Sequence, residues 1–211
     1  DPMPLNNAIT AIHGRLLKLE QKADDTLSDK ITAQLDGNLI DRAVETMEAF
    51  RLTAHEKWER LRVGVLKNLY HNMESAVEAE TNAERRCTQC GGALTIENLI
   101  RPRSIKCEYC GSINQVTPDS MVALYYSMAP NIFAEEATLE QSLAIKRKEA
   151  AINAKREPPE TDLQTLESMQ RQYWKMFVEV RGRYVESTPE ERTRFVESRM
   201  KVWKHFHRAS E

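Results

Sequence analysis

Apolar residues recur at steps of three and four along most of the chain, the spacing that keeps side chains on one helical face. Leu5, Ile9, Ile12, Leu16 and Leu19 predict a first helix over about 5–23. Asp24, Asp25 and Thr26 read as a turn, and a short helix over about 27–36 should stop near Asp36–Gly37. From about 39 to 83 there is no proline and one glycine, Gly64. A stripe runs through Ile40, Ala43, Met47, Phe50, Ala54, Trp58, Leu61, Val65, Leu69 and Met73. Read as one helix of about 45 residues, this stretch would be about 67 Å long, a coiled-coil-like arm or a bundle-spanning helix. The other reading is two helices kinked at Gly64.

Between about 85 and 116 the helical period gives way to glycines, cysteines and short apolar runs. Ala93 to Ile100 reads as an interrupted strand, with Arg101–Pro102–Arg103 as a turn and Ser104, Ile105 and Lys106 pairing back antiparallel. Helix resumes with Thr117 as cap and Pro118 at the first helical position, and should break near Pro130. A further helix over about 132–156 ends before Pro158–Pro159. Thr161 and Gln164 suggest a capping box for a helix over about 162–186, with the stripe Leu163, Leu166, Met169, Tyr173, Phe177, Val180 and Tyr184. Thr188, Pro189 and Glu191 mark the start of a last helix running to about His207: a cap, a proline at the first position and an acid at the third. No internal repeat is evident. The helices before and after the middle segment should pack together, since neither set alone closes a large core.

Composition narrows the classes. At 41% hydrophobic residues the 211-residue chain can build a core, and 29% charged residues suit long helices with solvated faces. A formal charge of -2 gives no global electrostatic case for nucleic acid or anionic membrane. Few glycines and prolines exclude low-complexity classes, and no apolar run approaches the length of a membrane span. The opening DPMPLNNAIT has neither the basic nor the apolar region of a signal peptide.

The four cysteines carry most of the chemistry. Cys87 and Cys90 form one C-x-x-C pair, followed by Gly91 and Gly92; Cys107 and Cys110 form a second, followed by Gly111. Two such pairs at this separation imply one tetrathiolate metal site, with Zn²⁺ as the first expectation. Each pair delivers two thiolates from one tight turn, and the glycines suit a backbone needing positive φ. Paired C-x-x-C motifs favour a reducing compartment over a disulfide framework, hence an expected cytoplasmic location. The segment CTQCGG…CEYCG resembles the zinc ribbon, or rubredoxin-like, family of small metal modules, over about residues 85–116 only. The resemblance implies Cys87, Cys90, Cys107 and Cys110 as the four ligands, with iron as the competing metal. Rubredoxins usually have a longer gap between knuckles and a proline in the second. Here that knuckle is Cys107, Glu108, Tyr109, Cys110, which disfavours electron transfer. Four protein ligands leave no open position for substrate, so such a site folds the module rather than reacting.

The expected fold class is therefore mainly α: a helical bundle or coiled-coil-like body interrupted by a small β zinc ribbon. Its divisions are an N-terminal helical region at 1–84, the ribbon at 85–116 and a C-terminal helical region at 117–211. Within the ribbon, Arg85, Arg86, Arg101, Arg103 and Lys106 face only Glu97 and Glu108. With Tyr109 they are candidate contacts for phosphate, bases or a protein partner, against the simpler role of a solvated hairpin tip. Arg199, Lys201, Trp203, Lys204 and Arg208 form a candidate basic amphipathic helix, against the simpler role of charge placed at a helix C-terminus. Lys146, Arg147, Lys148, Lys155 and Arg156 read as a solvated helix face.

No enzyme signature stands out. His55–Glu56 does not continue into H-E-x-x-H, and no phosphate loop or dinucleotide fingerprint is present. The leading expectation is a non-enzymatic scaffold or protein-interaction protein, part of a larger complex. A nucleic-acid-binding protein and an enzyme with a site not visible in sequence are the alternatives. Homo-oligomerisation stays open, since a long apolar stripe pairs equally well within or between chains.

Overall fold

The computed structural model describes residues 3–31, 37–96, 99–155 and 157–208. It is a helical body interrupted by a small β module. Helix α1 (Met3–Ile31) runs without a turn at Asp24–Thr26. There Thr26 Oγ1 bonds back to the Lys22 carbonyl inside a continuing helix. The short helix expected over 27–36 lies partly outside the described residues. Helix α2 (Gly37–Thr81) is one helix of 45 residues that passes through Gly64 unbroken. A Cβ at Gly64 would meet nothing within 4 Å, so no close packing requires the glycine.

The β module holds β1 (Arg85–Arg86), β2 (Ala93–Leu94), β3 (Arg103–Lys106) and β4 (Ile113–Val116). β1 pairs with β2, and β3 with β4, both antiparallel. Ser104–Lys106 therefore pair with 113–115, not with the strand expected over 93–100. Each C-x-x-C segment turns the chain onto its own neighbour, so pairing is settled locally. Arg101 and Arg103 consequently do not cap a hairpin. Arg103 opens β3 opposite Val116, and the two tips are the cysteine turns themselves.

Helix α3 (Ser120–Ala137) is capped by Asp119, whose carboxylate accepts from Met121 N at 2.7 Å. Thr117 is not the cap. Asp119 holds an extended backbone (φ -59, ψ 151), which leaves Pro118 outside the helix. Pro130 lies buried inside α3, and the break falls at Thr138 (φ -110, ψ 11). Helix α4 (Leu139–Asn153) follows. Helix α5 (Glu160–Arg181) starts before the expected capping box, at Pro159, with no side-chain cap. Helix α6 (Pro189–Arg208) starts as expected: Thr188 N donates to Glu191 Oε2 at 2.8 Å, and Glu191 N donates to Thr188 Oγ1 at 3.2 Å.

α2 packs on α3 and α4, and α5 packs on α3, α4 and α6. One core joins Leu66, Tyr70 and Val77 of α2 to Val122, Tyr125, Ala129, Ile132 and Phe133 of α3. Segments before and after the β module thus share a core. A second joins Ile145 and Ile152 of α4 to Leu166 of α5, and a third joins Val178 of α5 to Val196 and Met200 of α6. Salt bridges align the helices around these cores. Arg62 meets Glu135 at 2.8 Å and Lys67 meets Glu136 at 2.8 Å, while Arg147 reaches Glu56 at 2.6 Å and Arg60 pairs with Glu140. No helix among the described residues is long and apolar enough to cross a membrane.

Candidate metal centre

The two cysteine turns have the same backbone. Cys87 N donates to the Gly92 carbonyl at 2.8 Å and Gly91 N to the Cys87 carbonyl at 3.0 Å. Twenty residues on, Cys107 N donates to Ser112 O at 2.8 Å and Gly111 N to Cys107 O at 2.9 Å. Gly91 and Gly111 take φ of 72° and 77°, where a side chain would be strained. A short repeat that goes unnoticed in the sequence is plain in this shared frame.

The turns face each other. Cys87 Sγ lies 3.7 Å from Cys110 Sγ, and Cys90 Sγ lies 3.6 Å from Cys107 Sγ. All four sulfurs lie within 4.8 Å of one another. A disulfide needs about 2.05 Å, so the thiols are unbridged. Sulfurs around a tetrahedral Zn²⁺ at about 2.3 Å would stand about 3.8 Å apart, close to the two separations observed. The donor set thus fits one thiolate-bound ion. The first cysteine of each turn is buried and the second exposed, so the cluster sits at the module's edge.

Its electrostatics point the same way. The Ser112 hydroxyl, with the backbone N–H groups of Cys90 and Gln89, holds the Cys87 thiol down to about 5. Ser112, through side chain and backbone, also lowers Cys110. At Cys90 the Gly92 N–H favours the thiolate, but neighbouring Cys110, burial and the sulfurs of Cys107 and Cys87 outweigh it and push the thiol up to about 12. Part of the cluster is prepared to ionise, and full ionisation needs a cation between the sulfurs.

Sequence reasoning missed the residues that orient the sulfurs. Asn114 is 3% exposed. Its Oδ1 accepts from Thr88 N at 2.9 Å and Thr88 Oγ1 at 3.0 Å, while its Nδ2 donates to Cys87 Sγ at 3.5 Å and Ser112 O at 3.4 Å. Ser112 Oγ lies 3.1 Å from both Cys87 Sγ and Cys110 Sγ. Strand β4 thereby ties the first turn to the second. Asn114 occupies the place that Leu94 holds in the first hairpin; both point inward. No local sequence signal marks it: apolar Ile113 is 71% exposed while its polar neighbour Asn114 is buried, the reverse of what residue type predicts.

The other candidate residues have varied settings. Arg85 pairs with Glu80, and Arg86 with Glu84 at 3.2 Å. Arg101, Arg103 and Lys106 are exposed and make no ion pair among the described residues. Tyr109 is 74% exposed, yet its ring edge lies where a Cβ on Gly92 would sit, with Cδ2 only 2.6 Å from that position. The second turn therefore packs over the first. On α6, Arg199 stacks over Trp174 and Phe195 at 5.2 and 5.1 Å, and Lys204 reaches Glu167 at 2.6 Å. Trp203 packs between α4, α5 and α6, and Lys201 is exposed. The side chain of Arg208 lies outside the described residues. In the basic run that extends through α4 and just past its end, Arg147 pairs with Glu56, while Lys148 and Lys155 share Asp162. A groove of about 450 Å³ between the end of α2 and the start of α3 is lined by Glu80, Arg85 and Asp119 among others, and reaches none of the cysteines. No family model, curated protein sequence or solved structure matches this chain.

Proposed function

We propose that the chain is a non-enzymatic scaffold whose zinc ribbon docks a protein partner within a larger complex. In this reading Cys87, Cys90, Cys107 and Cys110 hold one structural Zn²⁺. The ion saturates its coordination with protein sulfur, and its contribution is folding energy for a module with little core of its own. The observation that carries the reading is the face built beside the clamp. Tyr109, in the second cysteine turn, and Ile113, which opens β4 opposite Lys106, stand 74% and 71% exposed. Exposed aromatic and aliphatic side chains beside a cation are the composition of an interaction anchor. Affinity purification from the native host with mass spectrometry, comparing the wild-type chain with Tyr109→Ala/Ile113→Ser, tests it. A specific partner should be recovered by the wild type and lost by the variant. Equal recovery by both would remove the ribbon face from the interaction.

The exposed cations Arg101, Arg103 and Lys106, with the exposed Tyr109 ring elsewhere on the same β module, support a second reading, nucleic-acid binding by phosphate contact and base stacking. Retention on mixed DNA and RNA that weakens steeply with salt would favour this reading over the first.

A further inference from the structure

Helices α1 and α2 form an antiparallel hairpin. His13 stacks on Trp58 at 5.6 Å, Asp24 pairs with Arg51, and Ile9 packs against the core of α2 and α3. At 100° per residue the seam is made by Ile9, His13, Leu16 and Ala23 on one helix and Met47, Arg51, Ala54 and Trp58 on the other. Helices α3 and α4 cover one flank and the back of α2, through Glu56, Arg60, Arg62 and Leu66. The opposite flank is open and apolar. Ile12 and Leu19 lie there on α1, and Phe50 and Leu61 on α2, at 48%, 64%, 71% and 60% exposure. The contacts His13–Trp58 and Asp24–Arg51 fix the register. They set Ile12 level with Leu61 and place Leu19 between the levels of Leu61 and Phe50. The result is a strip about 16 Å long, or three helical turns.

Its charge is one-sided. Arg15, Lys22 and Lys57 border this strip, are exposed, and make no ion pair among the described residues. Among the described side chains of both helices no carboxylate lies on this flank; Asp24, Glu48 and Glu59 lie on the other. A second copy would bring like charges together, so a homodimer through this face is disfavoured. We infer that this flank of the α1–α2 hairpin is a docking groove for an acidic amphipathic helix of a partner protein. The occupant would lay an apolar i, i+3/i+4, i+7 face between the helices and its carboxylates against Arg15, Lys22 and Lys57. The site is separate from the zinc ribbon and stands whether or not the ribbon binds protein.

The test is fluorescence anisotropy with a labelled designed peptide of three heptads, Leu at a and d and Glu at the flanking positions, beside a version with Lys for every Glu. The full chain should bind the acidic peptide at least about tenfold more tightly than the basic one, less so at high salt. Phe50→Ala and Lys57→Glu should each weaken binding about tenfold or more. Leu17→Ala, on the opposite flank, should leave it unchanged. All three side chains are exposed, so the fold should persist, as circular dichroism would verify. No binding, equal binding of both peptides, or indifference to Phe50→Ala would overturn the inference. So would partition onto phosphatidylserine vesicles without peptide binding, or a concentration-dependent dimer that Phe50→Ala abolishes.

Discussion

Replacing Asn114 by alanine tests the cluster's support more sharply than removing a cysteine, because all four sulfurs stay. The substitution deletes two well-formed hydrogen bonds to Thr88, at 2.9 and 3.0 Å, and two long ones, to Ser112 O at 3.4 Å and Cys87 Sγ at 3.5 Å. The Thr88 N–H fixes the amide's orientation, so the Nδ2 side must face the sulfur. Each good bond contributes about 0.5–1.5 kcal/mol net, and the exposed Thr88 groups can turn to water once the acceptor is gone. The two good bonds together amount to about 1–3 kcal/mol. That matches the roughly 10- to 100-fold loss of metal affinity usual when a residue supporting a ligand is removed. Asn114→Asp should lose at least as much. It keeps an acceptor for Thr88 but turns the donor facing Cys87 into an oxygen beside a tetrathiolate. Competition with a chromophoric zinc chelator measures both variants. Zinc affinity within about twofold of wild type for Asn114→Ala would refute the proposed role.

Gly92→Ala should destabilise the module, because the new Cβ meets the Tyr109 ring at 2.6 Å; Tyr109→Ala in the same chain should recover much of the loss, read as chelator resistance in a double-mutant cycle. Gly111→Ala should cost about 1–2 kcal/mol through its φ of 77°, and no second-site change at position 109 should rescue it. Thr188→Ala should lower the stability of α6 by about 1 kcal/mol in urea unfolding, since it removes one half of a reciprocal cap. Glu56 and Glu140 are held below their ordinary 4.5, first by hydrogen bonds from Arg147 and Arg60 respectively. A carboxylate lowered in the folded state contributes stability that is present above its unfolded value and lost as pH falls through the folded one. Acidification below about pH 4.5 should therefore weaken the attachment of α4 to α2, and Glu56→Gln/Glu140→Gln should flatten that part of the stability profile.

What could be read from the chain follows from how local each signal is. The start of α6 was fully legible because Thr188 and Glu191 satisfy each other within one turn. The start of α3 was not: Thr117 and Asp119 flank Pro118, both can cap, and Asp119 prevails with its carboxylate on Met121 N. Pro130 reads as a helix break, yet it is buried among α3 residues that pack on α2 and α5, and tertiary burial holds the helix through it. Gly64 lies in the middle of α2, where packing of α1, α3 and α4 along the helix outweighs its weak propensity. The stripe on α1 and α2 was legible as helix but not as burial. Part of it closes the hairpin seam, while Ile12, Leu19, Phe50 and Leu61 lie outside it. At the cluster, the cysteine spacing marks the four sulfurs in the sequence. Asn114 and Ser112 could not be found that way, because their role depends on two hairpins meeting face to face, a contact no local pattern encodes.

If the four cysteines hold one ion as a structural clamp, that ion should stay with the purified chain. Native mass spectrometry of the freshly purified chain, with elemental analysis of the same sample, tests it directly. One zinc per chain is expected. It should be absent from Cys107→Ala, whose β module should unfold while the helical signal of circular dichroism is largely retained. A zinc-free chain with all four thiols reduced and the β module still folded would show that no metal clamps the module.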